Sequence, residues 1–170
     1  DGKIQAFPWR DCESEFVEAE KVNMFSMEWT LDQERLYENP LMTVSGQKKI
    51  LSLCKKHHMH IPSLTGDCFM QAPFWKASDL LENELKKDFV AICDACSAIG
   101  IEMIVIPLVD NGSLENFEQE TKLIDFLLSL KSFFEAKNLK ILFESDFRPD
   151  ELRRFIGKLP EDLFGVNYDI

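Results

Sequence analysis

Hydrophobic and polar positions along the chain follow two alternating patterns, one with the period of a helix and one typical of a buried strand. The helical pattern covers residues 10–23, 45–58, 78–100, 114–137 and 149–159, and the strand pattern covers 24–29, 59–64, 102–108, 139–144 and 164–170. Two of these strands, 102–108 and 139–144, are continuous apolar runs, as expected for strands buried on both faces. Strict alternation of helices with such strands predicts a parallel α/β sheet.

Small and polar residues mark the ends of two predicted helices. Ser45 and Ser78 are predicted N-caps, and Gly100 is a predicted C-cap. The segments 30–43 and 65–77 are predicted to be loops.

The loop at 65–77 carries several large apolar side chains, among them Phe69, Phe74 and Trp75. Two interpretations stay open at this point. These side chains form an apolar lid over a substrate, or they pack down on the edge of the sheet.

Two architectures fit a parallel α/β sequence, an open doubly wound sheet and a closed (β/α)8 barrel. A doubly wound nucleotide-binding protein usually has a glycine-rich phosphate loop after an early strand, whereas Gly66 and Gly112 stand alone here. This difference favours the barrel. Because a whole barrel needs about 250 residues, the 170 residues of this chain predict a partial barrel, one incomplete domain over residues 1–170.

Composition narrows the function classes. The net charge is −11, from 30 acidic and 19 basic residues that do not cluster, so the chain is not expected to bind nucleic acid. Apolar runs such as 103–109 are far shorter than the ~18 residues of a membrane span. Scattered cysteines without a secretory signal indicate reduced thiols and a cytoplasmic location.

Two groups of potential metal ligands are more simply explained as residues with a structural role than as a redox or metal site. Cys93 and Cys96 form a C-x-x-C in the middle of a helical pattern, which favours core packing because redox pairs lie at helix starts. His57, His58 and His60 fall at a helix-to-strand junction, where histidine near a helix C-terminus is favourable by itself.

Acidic residues follow the predicted strands at or just past their carboxyl ends. These acids are Glu28, Asp67, Asp110, Glu144 and Asp169. In parallel α/β folds the catalytic residues gather at this edge. An acid in such a position also serves as an ordinary helix N-cap, and for Asp67 and Asp110 that interpretation stays open.

Glu144 and Asp169 stand apart, because each directly follows an apolar strand and the two strands are consecutive. Neighbouring strands lie about 4.8 Å apart. Two carboxylates at that separation repel unless one is protonated or a cation lies between them. A divalent metal ion is therefore the expected third partner.

Several short runs resemble the sugar phosphate isomerase/epimerase family, which belongs to the xylose isomerase-like TIM barrels. These runs are LFESD (142–146), FGVNYDI (164–170), IPLVDNG (106–112), MEW (27–29) and IPSLTGD (61–67). The similarity covers nearly the whole chain, and its specificity lies in the order and spacing of the runs.

The resemblance implies a place in the barrel, strands two to six of the eight, without strand one and strands seven and eight. In this family a Glu closing the fifth strand, an Asp closing the sixth, a His on the seventh and a Glu on the eighth bind one divalent metal. The resemblance places the first ligand on Glu144 and the second on Asp169. The other two would lie beyond Ile170.

The resemblance also implies the chemistry, which is proton abstraction next to the carbonyl of a ketose or sugar phosphate through an enediolate. Glu144 would be both a metal ligand and the acid/base. Mn²⁺ or Mg²⁺ suits such an oxygen-rich site, with Zn²⁺ or Co²⁺ as alternatives. The residues expected to contact the sugar are Glu28, Trp29, Asp67 and Asn111.

Two other functions stay open. An apurinic endonuclease-like barrel would have histidine ligands at early strand ends, where this chain has Thr65 and Pro107. A non-catalytic sugar-binding α/β module would not depend on a metal. The 170 residues alone are expected to be inactive and, with unpaired sheet edges, poorly soluble, and a homo-oligomer of the full-length enzyme stays open.

Overall fold

The computed structural model describes residues 6–168, and its strands form one sheet. The strands are β1 (Ser26–Thr30), β2 (His60–Thr65), β3 (Met103–Leu108), β4 (Lys140–Ser145) and β5 (Phe164–Val166). All four neighbouring pairs are parallel, and each strand pairs with the next strand in the sequence. A doubly wound sheet would reverse its order at a switch point, so the predicted α/β fold of a partial barrel is confirmed.

The helices alternate with these strands along the chain. They are α1 (Cys12–Lys21), α2 (Val44–His57), α3 (Asp67–Gln71), α4 (Asp79–Ile99), α5 (Phe117–Ser129), α6 (Lys131–Lys137) and α7 (Pro149–Ile156). None of these helices is long and apolar enough to cross a membrane.

One continuous row of residues runs across the whole sheet. Thr30 pairs with Thr65, Thr65 with Val105, Val105 with Leu142, and Leu142 with Gly165. Because side chains alternate between the two faces of a strand, this row and the residues two positions away from it share one face. The strand ends are therefore in register along a single edge.

The opposite face of the sheet packs against the helices. Its residues are fully buried, and they include Leu64, Ile104, Ile106, Ile141 and Phe143. Aromatic rings join the two layers: the Phe143 ring centroid lies 5.0 Å from that of Phe155 on α7. Because these apolar side chains are buried on one face, the other face of the sheet is left to carry polar side chains.

Helix ends differ in two places from the pattern of the sequence. Thr43, rather than Ser45, is the N-cap of α2, because its hydroxyl accepts a hydrogen bond from the Gly46 amide at 3.1 Å. The helix predicted over 114–137 is two helices, α5 and α6, that meet at Leu130. Hydrophobic periodicity continues through this break, so the pattern alone does not reveal it.

The segment predicted as the loop 65–77 contains α3, and its aromatic residues are in the core. Phe69, Phe74 and Trp75 are 6%, 2% and 1% exposed. The Phe69 ring lies 5.0 Å from Phe89 of α4, and the Phe74 ring lies 4.9 Å from Phe126 of α5. The lid interpretation is wrong, since these rings fill the space between the segment and the helices.

The cysteine and histidine groups have structural positions. Cys93 and Cys96 are fully buried free thiols on α4, which confirms the core interpretation, and burial raises the pKa of both. His57 is buried with its Nδ1 2.7 Å from Glu20, and His60 begins β2, so both lie at the edge where the strands start. That edge is the opposite one from the strand-end acids.

A buried ion-pair cluster joins α5 to α7. Glu120 is 5% exposed, and both of its carboxylate oxygens accept hydrogen bonds from the Arg154 guanidinium at 2.7 Å. Lys158 also donates to one of these oxygens. Hydrogen bonding from Arg154 lowers the pKa of Glu120 to about 2.

Replacing Glu120 with Gln removes the negative charge from this cluster and leaves the positive charges of Arg154 and Lys158. We expect the free energy of unfolding to fall by about 1–2 kcal/mol at pH 7. The loss is this small because Arg154 and Lys158 are half-exposed, so water screens their ion pairs with Glu120. The pKa of Glu120 is lower in the folded chain than in the unfolded chain, so its carboxylate stabilises the fold at pH values above the unfolded-state pKa. The difference in unfolding free energy between the variant and the native chain should therefore shrink as the pH falls from about 5 towards 2. Urea unfolding of the variant and of the native chain at several pH values measures this difference.

The control is Glu118→Gln, because Glu118 is on the same helix but its side chain is 81% exposed. We expect this variant to unfold within about 0.5 kcal/mol of the native chain. Equal unfolding midpoints for the two variants at pH 7 would contradict the role given to the cluster.

Candidate active site

Glu144 lies near the carboxyl end of β4, paired with Pro107 of β3. It shares a face with Leu142, two residues earlier, and therefore points away from the helix layer. The side chain is half-buried, and the Asn167 amide donates a hydrogen bond to its Oε2 at 3.3 Å. Asn167 follows β5 and shares the face of Gly165, so two adjacent strands bring these polar groups together.

The second residue placed on the proposed metal, Asp169, lies outside the described residues 6–168.

Glu28 is on the first strand of the same face. Its Oε2 accepts a short hydrogen bond from the hydroxyl of Thr65 on β2. Thr65 is in turn part of the row that crosses the sheet. The β1–β2 pairing thus fixes the Glu28 carboxylate, which is otherwise exposed to solvent.

Asp67, the first residue of α3, is 6% exposed. Within residues 6–168, no group donates a hydrogen bond to its carboxyl. Burial, followed by the charges of Asp32, Glu144 and Glu28, raises the pKa of Asp67 to about 6. Asp67 is therefore a carboxylic acid that holds its proton up to nearly neutral pH and has hydrogen-bonding capacity to spare.

Asp32 is a fourth carboxylate at this edge, and sequence reasoning did not identify it. It lies two residues after β1 and is 5% exposed. Its Oδ2 accepts a hydrogen bond from the Phe7 backbone amide at 2.9 Å, and its Oδ1 accepts one from Gln71 at 2.8 Å. A strand predicted to end at Trp29 left Asp32 in a polar loop. Its burial and its distant partners Phe7 and Gln71 distinguish it from an exposed loop acid.

Trp29 does not share the face of these carboxylates, whereas Asn111 follows β3 at the same edge of the sheet. Trp29 is 3% exposed and alternates with Glu28, so its ring lies on the packed face, where its Nε1 donates to Asn39 at 3.2 Å. Asn111 is exposed, and its amide donates to the Met70 carbonyl oxygen at 3.0 Å. Both residues hold neighbouring segments in place.

The carboxyl groups of Glu28, Asp32, Asp67 and Glu144 form the mouth of the candidate site at the carboxyl edge of the sheet, and the net charge of this mouth is strongly negative. The charges of Asp32, Glu144 and Glu28 act on Asp67 and, after burial, contribute to its raised pKa. Basic residues of the adjoining loops are engaged elsewhere: Arg35 pairs with Glu38 at 2.6 Å, and Lys76 pairs with Glu115 at 2.6 Å. Such a site attracts a cation.

A divalent metal fits the chemistry of Glu144, because a carboxylate with an oxygen to spare is a ligand that Mn²⁺ and Mg²⁺ prefer. In the part of the chain that the structure describes, however, no three His, Cys, Asp or Glu side chains are arranged to hold a metal ion. Glu144 would therefore share the ion with ligands outside that part.

Solved structures share this fold at low sequence identity. A xylose isomerase-like TIM barrel protein from Mycobacterium smegmatis, in complex with magnesium, has a TM-score of 0.68 and 13% identity, covering 99% of this chain and 59% of that protein. The IOLI protein with a bound zinc atom has a TM-score of 0.67 and 17% identity, with coverages of 95% and 57%.

A third structure is that of 3-keto-D-glucoside 4-epimerase, YcjR, from E. coli, with a TM-score of 0.66 and 13% identity. The match covers 96% of this chain and 65% of that protein. The chain thus spans about 57–65% of the length of these proteins.

At the level of sequence, no curated protein matches the chain. A protein-family model described as xylose isomerase-like TIM barrel matches residues 15–170. The resemblance of the short strand-end runs is thereby confirmed, and the chain belongs to the xylose isomerase-like TIM barrel family.

Proposed function

We propose that this chain is part of a metal-dependent isomerase or epimerase that acts on a ketose or sugar phosphate. The observation that carries the proposal is Glu144, a half-buried carboxylate on the helix-free face at the carboxyl end of β4. Family membership supports the same interpretation, since active sites of such barrels lie at this edge.

Glu144 is proposed to have two roles. Together with Asp169 it would hold one divalent cation, with Mn²⁺ or Mg²⁺ favoured and Zn²⁺ or Co²⁺ as alternatives. The cation, when bound, would stabilise negative charge on the substrate oxygens. Glu144 would also accept the proton of the carbon next to the carbonyl. In an aldose–ketose isomerisation it would return the proton to the former carbonyl carbon, whereas an epimerisation would need a second acid on the opposite face of the sugar. The electron pair of the broken C–H bond moves towards the carbonyl oxygen, so atoms and charge balance without a redox partner.

Four other residues are proposed to shape the sugar site. Glu28 accepts hydrogen bonds from sugar hydroxyls beside Thr65. Asp67 donates its proton in a hydrogen bond to a sugar oxygen below about pH 6, where its raised pKa keeps it neutral. Asn111, exposed at the same edge, is proposed to contact the sugar, and Trp29 contributes by holding the neighbouring segment through Asn39.

The strand ends give no support to an apurinic endonuclease, because Thr65 and Pro107 stand where such a barrel would have histidine ligands. We expect a cytoplasmic enzyme with a small sugar as its partner, neither nucleic acid nor membrane. A sugar-binding module without catalysis is the alternative, and it is separated from the enzyme by the two experiments that follow.

Replacing Glu144 with Gln removes the charge but keeps the size of the side chain. We expect Mn²⁺ affinity to fall at least about 10-fold, because the neutral amide is a weaker ligand and cannot balance the ion. Isothermal titration of chelator-stripped protein with MnCl₂ measures the dissociation constant.

The matched control for Glu144→Gln is Glu102→Gln, because Glu102 is an exposed acid just before β3, at the opposite edge of the sheet. Its Mn²⁺ affinity should equal that of the native protein. An equal loss of affinity in both variants would indicate nonspecific charge attraction and would overturn the metal role of Glu144.

Proton abstraction can be measured before the product is known. D-Fructose and D-fructose 6-phosphate are incubated with the Mn²⁺-loaded full-length protein in D₂O, and deuterium next to the carbonyl is followed by NMR. We expect incorporation into at least one of the two sugars with native protein, none with Glu144→Gln, and none after EDTA treatment. Sugar binding without deuterium incorporation at any metal concentration would favour the binding module.

A further inference from the structure

Gln71, an exposed residue at the end of α3, connects two segments that are far apart in the sequence. Its side-chain Nε2 donates to Asp32 at 2.8 Å, and its Oε1 accepts from the Gln33 backbone amide at 2.8 Å. Both ends of one amide are thus bound to the segment that follows β1. A polar side chain at the surface rarely has both of its groups engaged by partners 38 and 39 residues away.

Two further contacts hold α3 in the same position. The Cys68 amide donates to the Leu31 carbonyl oxygen at 2.8 Å, so the start of α3 is tied to the same segment. At the other end, Asn111 donates to the carbonyl oxygens of Met70 and Gln71 at 3.0 and 3.3 Å. The segments that follow β1 and β3 therefore both contact α3, which lies in the segment that follows β2.

These ties are important because α3 is only five residues long. A helix of this length has no stability of its own, so its position depends on tertiary contacts. Asp67 and Gln71 are four residues apart and share a face of the helix. Whatever fixes Gln71 against Asp32 therefore also fixes Asp67 at the mouth.

We propose that Gln71 is a positioning residue of the candidate active site, whose amide fastens α3 to the segment after β1 and so holds Asp67 buried beside Asp32. Its relevance to catalysis rests on the proposed function, whereas the positioning itself does not. Gln71 acts through Asp67 and need not touch the sugar.

The environment of Asp67 makes this positioning measurable. The charged groups that face it are Asp32 in the segment after β1, Glu28 on β1 and Glu144 on β4. Burial is the largest cause of its raised pKa. If α3 loosens, water reaches the carboxyl and its separation from Asp32 grows, and both changes lower the pKa towards the ordinary Asp range of about 4.

The test uses Gln71→Met, which keeps the length of the side chain and removes both hydrogen bonds. Because Gln71 is exposed, the variant is expected to fold. The Asp67 carboxyl carbon is followed by NMR in ¹³C-aspartate-labelled protein over pH 3–8, with its signal assigned by its loss in Asp67→Asn. We expect the titration midpoint to fall by about 0.5 pH or more, together with reduced hydrogen-exchange protection of the Cys68 amide.

Gln119→Met is the control, since Gln119 also accepts a backbone hydrogen bond, from Glu115 at 2.9 Å, but at the start of α5. Its Asp67 midpoint should equal that of the native protein. An unchanged midpoint in Gln71→Met would overturn the positioning role, as would the same change in both variants. Neither readout needs a metal or a substrate, so this failure is distinct from a failure of the proposed function.

Discussion

The parallel register of the five strands is the constraint on which the rest of this structure depends. One row of paired residues crosses all five strands, from Thr30 on β1 to Gly165 on β5. A shift of one residue in any strand would move its inward side chains to the helix face. Glu144 would then be buried against α7, and Phe143 would be exposed in the mouth.

This register assigns opposite tasks to the two faces of the sheet. The helix face carries the apolar burial that stabilises the fold, with rings such as Phe143 and Phe155 in edge contact. The other face is free to carry acids that would be costly in a core. Asp32 and Asp67 are nevertheless buried, and they differ in how this cost is met: Asp32 accepts two hydrogen bonds, whereas Asp67 retains a proton to higher pH.

Much of the fold was predictable, because two of the strands are continuous apolar runs and the helices have clear periodicity. The break at Leu130 and the short helix α3 were not, since both interrupt or lie beside patterns that continue through them. Glu144 and Glu28 could be found from their positions at strand ends. Asp32 and Gln71 could not, because their significance comes from hydrogen bonds that link residues nearly 40 positions apart.

The outcome for Trp29 illustrates the same limit. Its position next to Glu28 at a strand end suggested a sugar contact, yet adjacent residues of a strand face opposite sides. Assigning the face requires knowing which neighbour points inward, and in β1 an irregularity in the pairing between Ser26 and Glu28 obscures that alternation.

The central claim is that Glu144 marks a metal-dependent active site at the carboxyl edge. The most direct measurement is a crystal structure of the protein soaked in MnCl₂, with anomalous difference density recorded at the manganese edge. The account predicts a peak within coordination distance of the Glu144 carboxylate and of Asp169. A well-ordered site without such a peak, or a peak only near His57 and His60 at the opposite edge, would contradict it.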